Sequence, residues 1–169
     1  MKKFYSFAIV ITMMVFAGSG SFSSCSDNPD EEVGEEHVKK IWIEPFHDNN
    51  GSIDQVKSFM SSSMPSYKFL SESNTSNLQL VYSNDNGKEG VIYSFSRLDS
   101  LLYSVIDTEL IINKEVVLEY LNDHYSMVSG SSNTSLIQYV FTNEDKSLAI
   151  STSKISDDCF NVNYTFIIE

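Results

Sequence analysis

Residues 73–84 read SNTSNLQLVYSN, and residues 132–143 read SNTSLIQYVFTN. The two stretches lie at a constant offset, 132 − 73 = 59, and 7 of their 12 positions are identical. A weaker match follows at an offset of 57, where residues 96–98 resemble residues 153–155. This similarity predicts one duplicated module, because a solenoid requires three or more repeats.

Apolar and polar residues alternate within each repeated stretch and in the segments that follow it. The alternating segments are 78–83, 91–95 and 101–106 in the first half, and 137–141, 148–150 and 160–166 in the second. Alternation with β-branched and aromatic residues is typical of half-buried antiparallel strands. Ahead of these segments, Val56 and Met60 follow a candidate N-cap at Ser52, and Val117 and Leu121 follow one at Asn113, at helical spacing.

The predicted fold class is therefore α+β. We expect two tandem copies of a helix followed by a three-stranded antiparallel meander, at residues 38–112 and 113–169, with both helices packed on one face of the sheet or sheets. A module of about 60 residues is marginal on its own, so the copies are expected to share one core. The pattern leaves the strand order open, and does not decide between one sheet and two.

The first 24 residues have the pattern of a secretory signal. Lys2 and Lys3 precede an apolar run that ends at Ala17, and small residues follow up to Ser24. The run is shorter than the roughly 20 residues that a membrane-spanning helix needs.

The end of this segment, Phe22-Ser23-Ser24-Cys25, resembles the lipobox of bacterial lipoproteins. The resemblance implies cleavage before Cys25 and attachment of lipid to its thiol, so that the mature protein meets the membrane through an acylated Cys25. An ordinary cleaved signal followed by a chance cysteine is the alternative.

Residues 25–37 are acidic and poor in apolar side chains, which predicts a solvated tether. They resemble the acidic export tag of Bacteroidetes-type surface lipoproteins, which implies a lipid anchor in the outer membrane and exposure at the cell surface. Trp42, Pro45 and the helix start at Gly51-Ser52 are similar to those of small Bacteroidetes surface lipoproteins of unknown function. That resemblance implies no catalytic residues. The order of elements is also similar to β-lactamase-inhibitor-type and outer-membrane-assembly lipoproteins.

The formal net charge is −12, with 23 acidic and 11 basic residues. Nucleic-acid binding needs clustered Lys and Arg, so it is excluded as a function. His37, His47 and His124 lack the partners of a metal site at the usual spacing, and no motif for a catalytic nucleophile or a phosphate loop is present. We therefore predict no enzymatic activity, no metal and no cofactor. Asp107 and Glu109 share one side of a strand, where a solvated sheet face explains them more simply than a carboxylate pair.

Two further residues are candidates for a role. Trp42 is either the cover of a sheet edge or a stacking platform for a glycan or peptide ligand. Asp99-Ser100-Leu101 resembles the acceptor motif of Bacteroidetes periplasmic O-glycosylation, which makes Ser100 a candidate modification site.

Three functions remain open. The first is a lipid-anchored, non-catalytic module at the cell surface that binds a protein or glycan. The second is a periplasm-facing assembly or inhibitor-type lipoprotein that binds a protein partner. The third is a hydrolase whose catalytic residues are dispersed along the chain.

Overall fold

The computed structural model describes residues 41–73, 78–131 and 137–167. The predicted signal segment, the tether and the lipidation site at Cys25 lie outside the described residues. In chain order, the elements are α1 (Ile53–Ser63), β1 (Tyr67–Ser73), β2 (Leu78–Asn84), β3 (Gly90–Phe95), β4 (Leu102–Leu110), a 3-10 turn (Ile111–Asn113), α2 (Lys114–His124), β5 (Ser126–Gly130), β6 (Tyr139–Thr142), β7 (Leu148–Lys154) and β8 (Cys159–Phe166).

The eight strands form one antiparallel sheet in the order β1-β2-β3-β4-β8-β7-β6-β5. The predicted fold class, two tandem modules of a helix and a three-stranded meander, is therefore wrong. Each half contributes a helix and four strands, and the last strands of the two halves, β4 and β8, pair at the centre of one continuous sheet. Hydrogen bonding between β4 and β8 makes the halves a single unit.

The two strands that the sequence analysis missed are the edges of the sheet, β1 and β5. Both edge strands carry a β-bulge, between Phe69 and Ser71 in β1 and between Met127 and Ser129 in β5. A bulge breaks the two-residue period, and all five residues of β5 are exposed. Neither edge strand therefore shows the alternation by which the other six were found.

The core lies on one face of the sheet. A row of six fully buried residues crosses it from β2 to β6, each paired with the next: Leu80, Tyr93, Val105, Tyr164, Ile150 and Phe141. Val56 and Met60 of α1 and Val117 and Leu121 of α2 belong to the same core. Both helices therefore cover the same face.

The first helix begins as the sequence predicts. Ser52 is its N-cap, and a capping box joins Ser52 and Gln55 in both directions, at 3.3 and 2.8 Å. Asn113 precedes α2 but makes no side-chain capping bond, and it is buried. Its amide is instead used by buried carboxylates, as described below.

The duplication extends to local geometry. In the β2–β3 hairpin, the Asn84 side-chain oxygen accepts from Glu89 N, and in the β6–β7 hairpin Asn143 accepts from Leu148 N in the same way, again at an offset of 59. Both turns place a left-handed residue at the equivalent position, Gly87 at φ 68° and Lys146 at φ 61°. Glu89 and Leu148 are therefore equivalent positions, one acidic and one apolar, and both are buried.

Candidate functional site

Residues 41–48 run between the two helices without forming a helix or strand of their own. Trp42 is 6% exposed, its indole N–H donates to Asp107 Oδ2 at 3.1 Å, and its ring meets that of Tyr120 edge-on at 5.0 Å. Because Asp107 lies on β4 and Tyr120 on α2, Trp42 fixes this segment to both the sheet and the second helix.

Glu44 is the centre of a second set of contacts. Its Oε2 accepts a hydrogen bond from the Tyr120 hydroxyl at 3.0 Å. Its Oε1 accepts from Tyr125 at 2.7 Å and from Tyr164 at 3.2 Å. These tyrosines come from α2, from the residue that ends α2 and from β8, so one carboxylate holds three elements together.

His47 extends this network. Its Nδ1 lies 2.8 Å from the carbonyl oxygen of Pro45 and donates to it, and its Nε2 lies 3.0 Å from the Tyr125 hydroxyl. Tyr125 has one hydroxyl proton and two neighbours, so when it donates to Glu44 it bonds His47 only if Nε2 also carries a proton. The imidazole ring stacks on Tyr164 at 5.1 Å.

The surroundings of Glu44 change the acidity of its tyrosines. Burial, and then the negative charge of Glu44, raise the pKa of Tyr120 to about 12. Burial also raises the pKa of Tyr125, and hydrogen bonding to Glu44 raises it further. Burial followed by the charges of Glu44 and Asp107 raises the pKa of Tyr164 well above its usual value. All three hydroxyls therefore stay neutral and act as hydrogen-bond donors at physiological pH.

A group of buried acidic residues lies on β4 and at the residue that directly precedes β3. Glu89, Asp107 and Glu109 are at most 4% exposed. The Asn113 amide donates to both Glu89 Oε1, at 2.9 Å, and Glu109 Oε2, at 2.7 Å. The expectation that Asp107 and Glu109 lie on a solvated sheet face is wrong, because the strand turns that side toward the helices. Among the described residues, no group of three or more His, Cys, Asp or Glu is arranged to hold a metal ion.

An open groove of 610 Å³ runs along residues 42–48 between the helices. We call it the Trp42 groove, and its walls include Trp42, Glu44, Phe46, Asp48, Phe59 of α1 and Tyr120 of α2. A smaller groove of 410 Å³ shares Trp42 and Tyr120 and continues along the outer side of α2 past Glu119 and Asp123. Aromatic rings and carboxylates dominate both linings.

The opposite face of the sheet is not covered by any described element, and we call it the open face. Its central row, set by the strand register, runs Val81, Ile92, Ile106, Asn163, Ser151 and Val140. The flanking rows carry Gln79, Ser94, Ser104, Thr165, Ala149 and Thr142 on one side, and Ser83, Gly90, Thr108, Asn161 and Ser153 on the other. None of these residues of the six inner strands is charged, in a chain whose net charge is −12.

The described candidate residues Trp42 and Ser100 belong to different segments of the chain. Trp42 contributes to the wall of a groove, and its use by a ligand stays a prediction. Ser100 is exposed at the tip of the β3–β4 hairpin with φ 60°, where Asp99 accepts a hydrogen bond from Leu101 N at 3.1 Å. Its glycosylation also stays a prediction. His124 is exposed and stacks on Tyr120 at 4.0 Å.

The comparisons with known proteins add no relative. No protein-family model, curated protein or solved structure matches the chain. No helix among the described residues is long and apolar enough to cross a membrane.

Sequence reasoning did not find Glu44 or its tyrosines as a site. Glu44 comes from a segment with no periodicity, and its partners lie 76, 81 and 120 positions away along the chain. A weak signal was present, since a carboxylate between Trp42 and Phe46 is unusual in so aromatic a stretch. Only the tertiary fold shows that the carboxylate faces three hydroxyl donors.

Proposed function

We propose that this protein is a non-catalytic binding module, anchored by a lipid on Cys25 in the bacterial outer membrane at the cell surface, and that it binds a protein or glycan through the open face. The observation that supports this most is the uncharged surface of six strands on an acidic chain. Its Ser, Thr, Asn and Gln side chains offer hydrogen-bond donors and acceptors without fixed charge.

The chemistry of the open face favours a neutral partner. Ile92, Ile106 and Val81 form a half-buried apolar strip, and polar side chains surround it. An apolar centre with a polar rim is the usual composition of a protein interface. Sugar hydroxyls and backbone amides both match hydroxyl and amide side chains, so a protein or glycan fits better than a charged polymer.

The acidic groups support a structural role rather than catalysis. Glu44 accepts three hydroxyl hydrogen bonds, and Glu89 and Glu109 share the Asn113 amide. A general acid or base needs access to substrate, and Glu89 and Glu109 are buried in the core, while Glu44 already joins three elements of the chain.

Site-specific photocrosslinking in living cells tests the binding surface. A crosslinking amino acid replaces Ser151 on the open face or, as the matched control, Asn122 on the exposed side of α2. We expect a discrete adduct from position 151 and none from position 122. Equal adducts from both positions, or none from 151, would reject the open face as the binding surface.

Two measurements test the location. Radioactive palmitate should label the wild-type protein and fail to label Cys25→Ser. Proteinase K added to intact cells should degrade the protein. Labelling of Cys25→Ser would reject the anchor, and full protection from the protease would favour the periplasm-facing alternative.

A further inference from the structure

We infer that the Trp42 groove binds the guanidinium group of an arginine side chain presented by a basic peptide. The groove lies on the helix-covered side of the sheet, away from the open face. The inference therefore does not depend on the proposed function.

The charge of the groove favours a cation. Glu44 and Asp48 line it, and Glu119 and Asp123 line the adjoining groove. Among the residues that the structure describes, the linings contain no lysine or arginine, and their basic side chains are His47 and His124. The net charge of −12 adds a long-range attraction for positively charged ligands.

Glu44 has room for one more donor. A carboxylate offers about four acceptor positions, two on each oxygen. Oε1 already takes the hydroxyls of Tyr125 and Tyr164, while Oε2 takes only that of Tyr120. A guanidinium N–H can therefore donate to Oε2, and such a charge-assisted bond is stronger than the neutral hydroxyl bonds already present.

The walls select an organic cation rather than a metal ion. Trp42 and Tyr120 meet edge-on at 5.0 Å, Phe46 and Phe59 lie 5.9 Å apart, and all four residues line the groove. Aromatic faces attract cations but supply no ligands to a metal. The planar guanidinium can stack on a ring and donate in its plane at the same time, which an ammonium cannot.

Trp42 is the one tryptophan of the chain, so its fluorescence reports directly on the groove. The experiment titrates the protein with acetyl-Gly-Arg-Gly-amide and, separately, with the same peptide containing citrulline, which is neutral and nearly identical in shape. The titration is carried out at pH 8, where the guanidinium of arginine stays charged. We expect a saturable change in fluorescence with the arginine peptide, and binding at least about tenfold weaker with the citrulline peptide.

Two variants locate the effect. Glu44→Gln should weaken binding of the arginine peptide about tenfold, whereas Glu144→Gln, which removes the same charge from the exposed β6–β7 turn, should leave it unchanged. Phe59→Leu keeps an apolar side chain in the wall and should weaken binding severalfold by removing one ring. If Glu44→Gln loses its native far-UV circular dichroism, it is not folded, and the binding of Phe59→Leu and of the citrulline peptide then tests the inference. Equal binding of the two peptides, equal weakening by both Gln variants, or no saturable signal would overturn the inference.

Discussion

Replacing Asn113 with Ala should destabilise the protein far more than its place at the start of a helix suggests. The Asn113 side chain makes no capping bond, so the substitution removes no cap. It does remove the amide that donates to Glu89 at 2.9 Å and to Glu109 at 2.7 Å, both inside the core. The cost therefore measures how much this shared donor stabilises two buried acidic residues.

The magnitude follows from the two bonds. A hydrogen bond to a charged group contributes about 1.5–3 kcal/mol, so the pair contributes about 3–6 kcal/mol. We expect a net loss of about 3 kcal/mol in the free energy of unfolding, which is a large part of the 5–15 kcal/mol typical of a domain.

Urea unfolding followed by Trp42 fluorescence and by circular dichroism measures this loss. With a slope of about 2 kcal/mol per molar urea, the midpoint should fall by roughly 1.5 M. Asn122→Ala is the matched control, because Asn122 is exposed on α2 and bonds only the carbonyl of Leu118 at 2.8 Å. A midpoint for Asn113→Ala within about 0.3 M of that control would refute the reasoning, since the carboxylates would then be satisfied without Asn113.

Three further predictions test other parts of the structure. Because burial raises the pKa of Tyr120 from 10.0 to about 12, its contribution to stability is complete below pH 10 and is lost as the pH rises through 12. Absorbance at 295 nm should accordingly show buried tyrosines ionising only together with alkaline unfolding, and ionisation of every tyrosine near pH 10 in the folded protein would contradict this. Met60→Ala should lower the free energy of unfolding, measured in urea, by about 2–5 kcal/mol, because Met60 is 1% exposed and its sulfur accepts a hydrogen bond from the Tyr93 hydroxyl at 3.1 Å. The control Ser61→Ala, on the exposed side of α1, should stay within about 0.5 kcal/mol of wild type. Gly87→Ala should lower the free energy of unfolding by about 1 kcal/mol, because its left-handed φ of 68° strains a residue with a side chain. Lys146→Gly, at the equivalent φ of 61°, should not lower it. Equal losses in the two variants would show that the two turns are not equivalent.

The sequence predicted six of the eight strands and both helices, because their residues alternate or recur at the period of the element. It failed at β1 and β5, where bulges after Phe69 and Met127 disturb the alternation and where solvent reaches most side chains. The sequence also did not predict that β4 pairs with β8. Pairing between distant strands depends on contacts that no local period encodes.

The burial of Asp107 and Glu109 could not be predicted from the sequence for a related reason. Alternation shows that two residues share a face, but not which face the helices cover. On β4 the buried set runs Val105, Asp107, Glu109, so the polar residues continue an apolar row. Hydrogen bonds such as those with Trp42 and Asn113 make such a row compatible with a core.

Comparison of the two duplicated halves shows that the buried acidic residues belong to the first half only at these positions. Val105 of β4 pairs with Tyr164 of β8, and Asp107 of β4 pairs with Val162 of β8. At an offset of 57, Val105 is equivalent to Val162 and Asp107 is equivalent to Tyr164, so the first pair maps onto the second with its strands exchanged. A pseudo-twofold axis therefore passes between β4 and β8. Under this relation Asp107 corresponds to Tyr164, just as Glu89 corresponds to Leu148 at an offset of 59. The first half thus has carboxylates where the second half has an aromatic and an aliphatic side chain.

The segment that carries Trp42 and Glu44 uses this difference. Trp42 donates to Asp107 of the first half, and Glu44 accepts from Tyr164 of the second. Asp107 and Tyr164 occupy equivalent positions, but the first acts as an acceptor and the second as a donor. A donor indole suits a carboxylate, and an acceptor carboxylate suits a phenol. Exchanging the two core residues would place two carboxylates together at the Glu44 contact, which would then lack a donor. The difference between the two halves at these positions therefore lets residues 42–44 bond to both β4 and β8 at once.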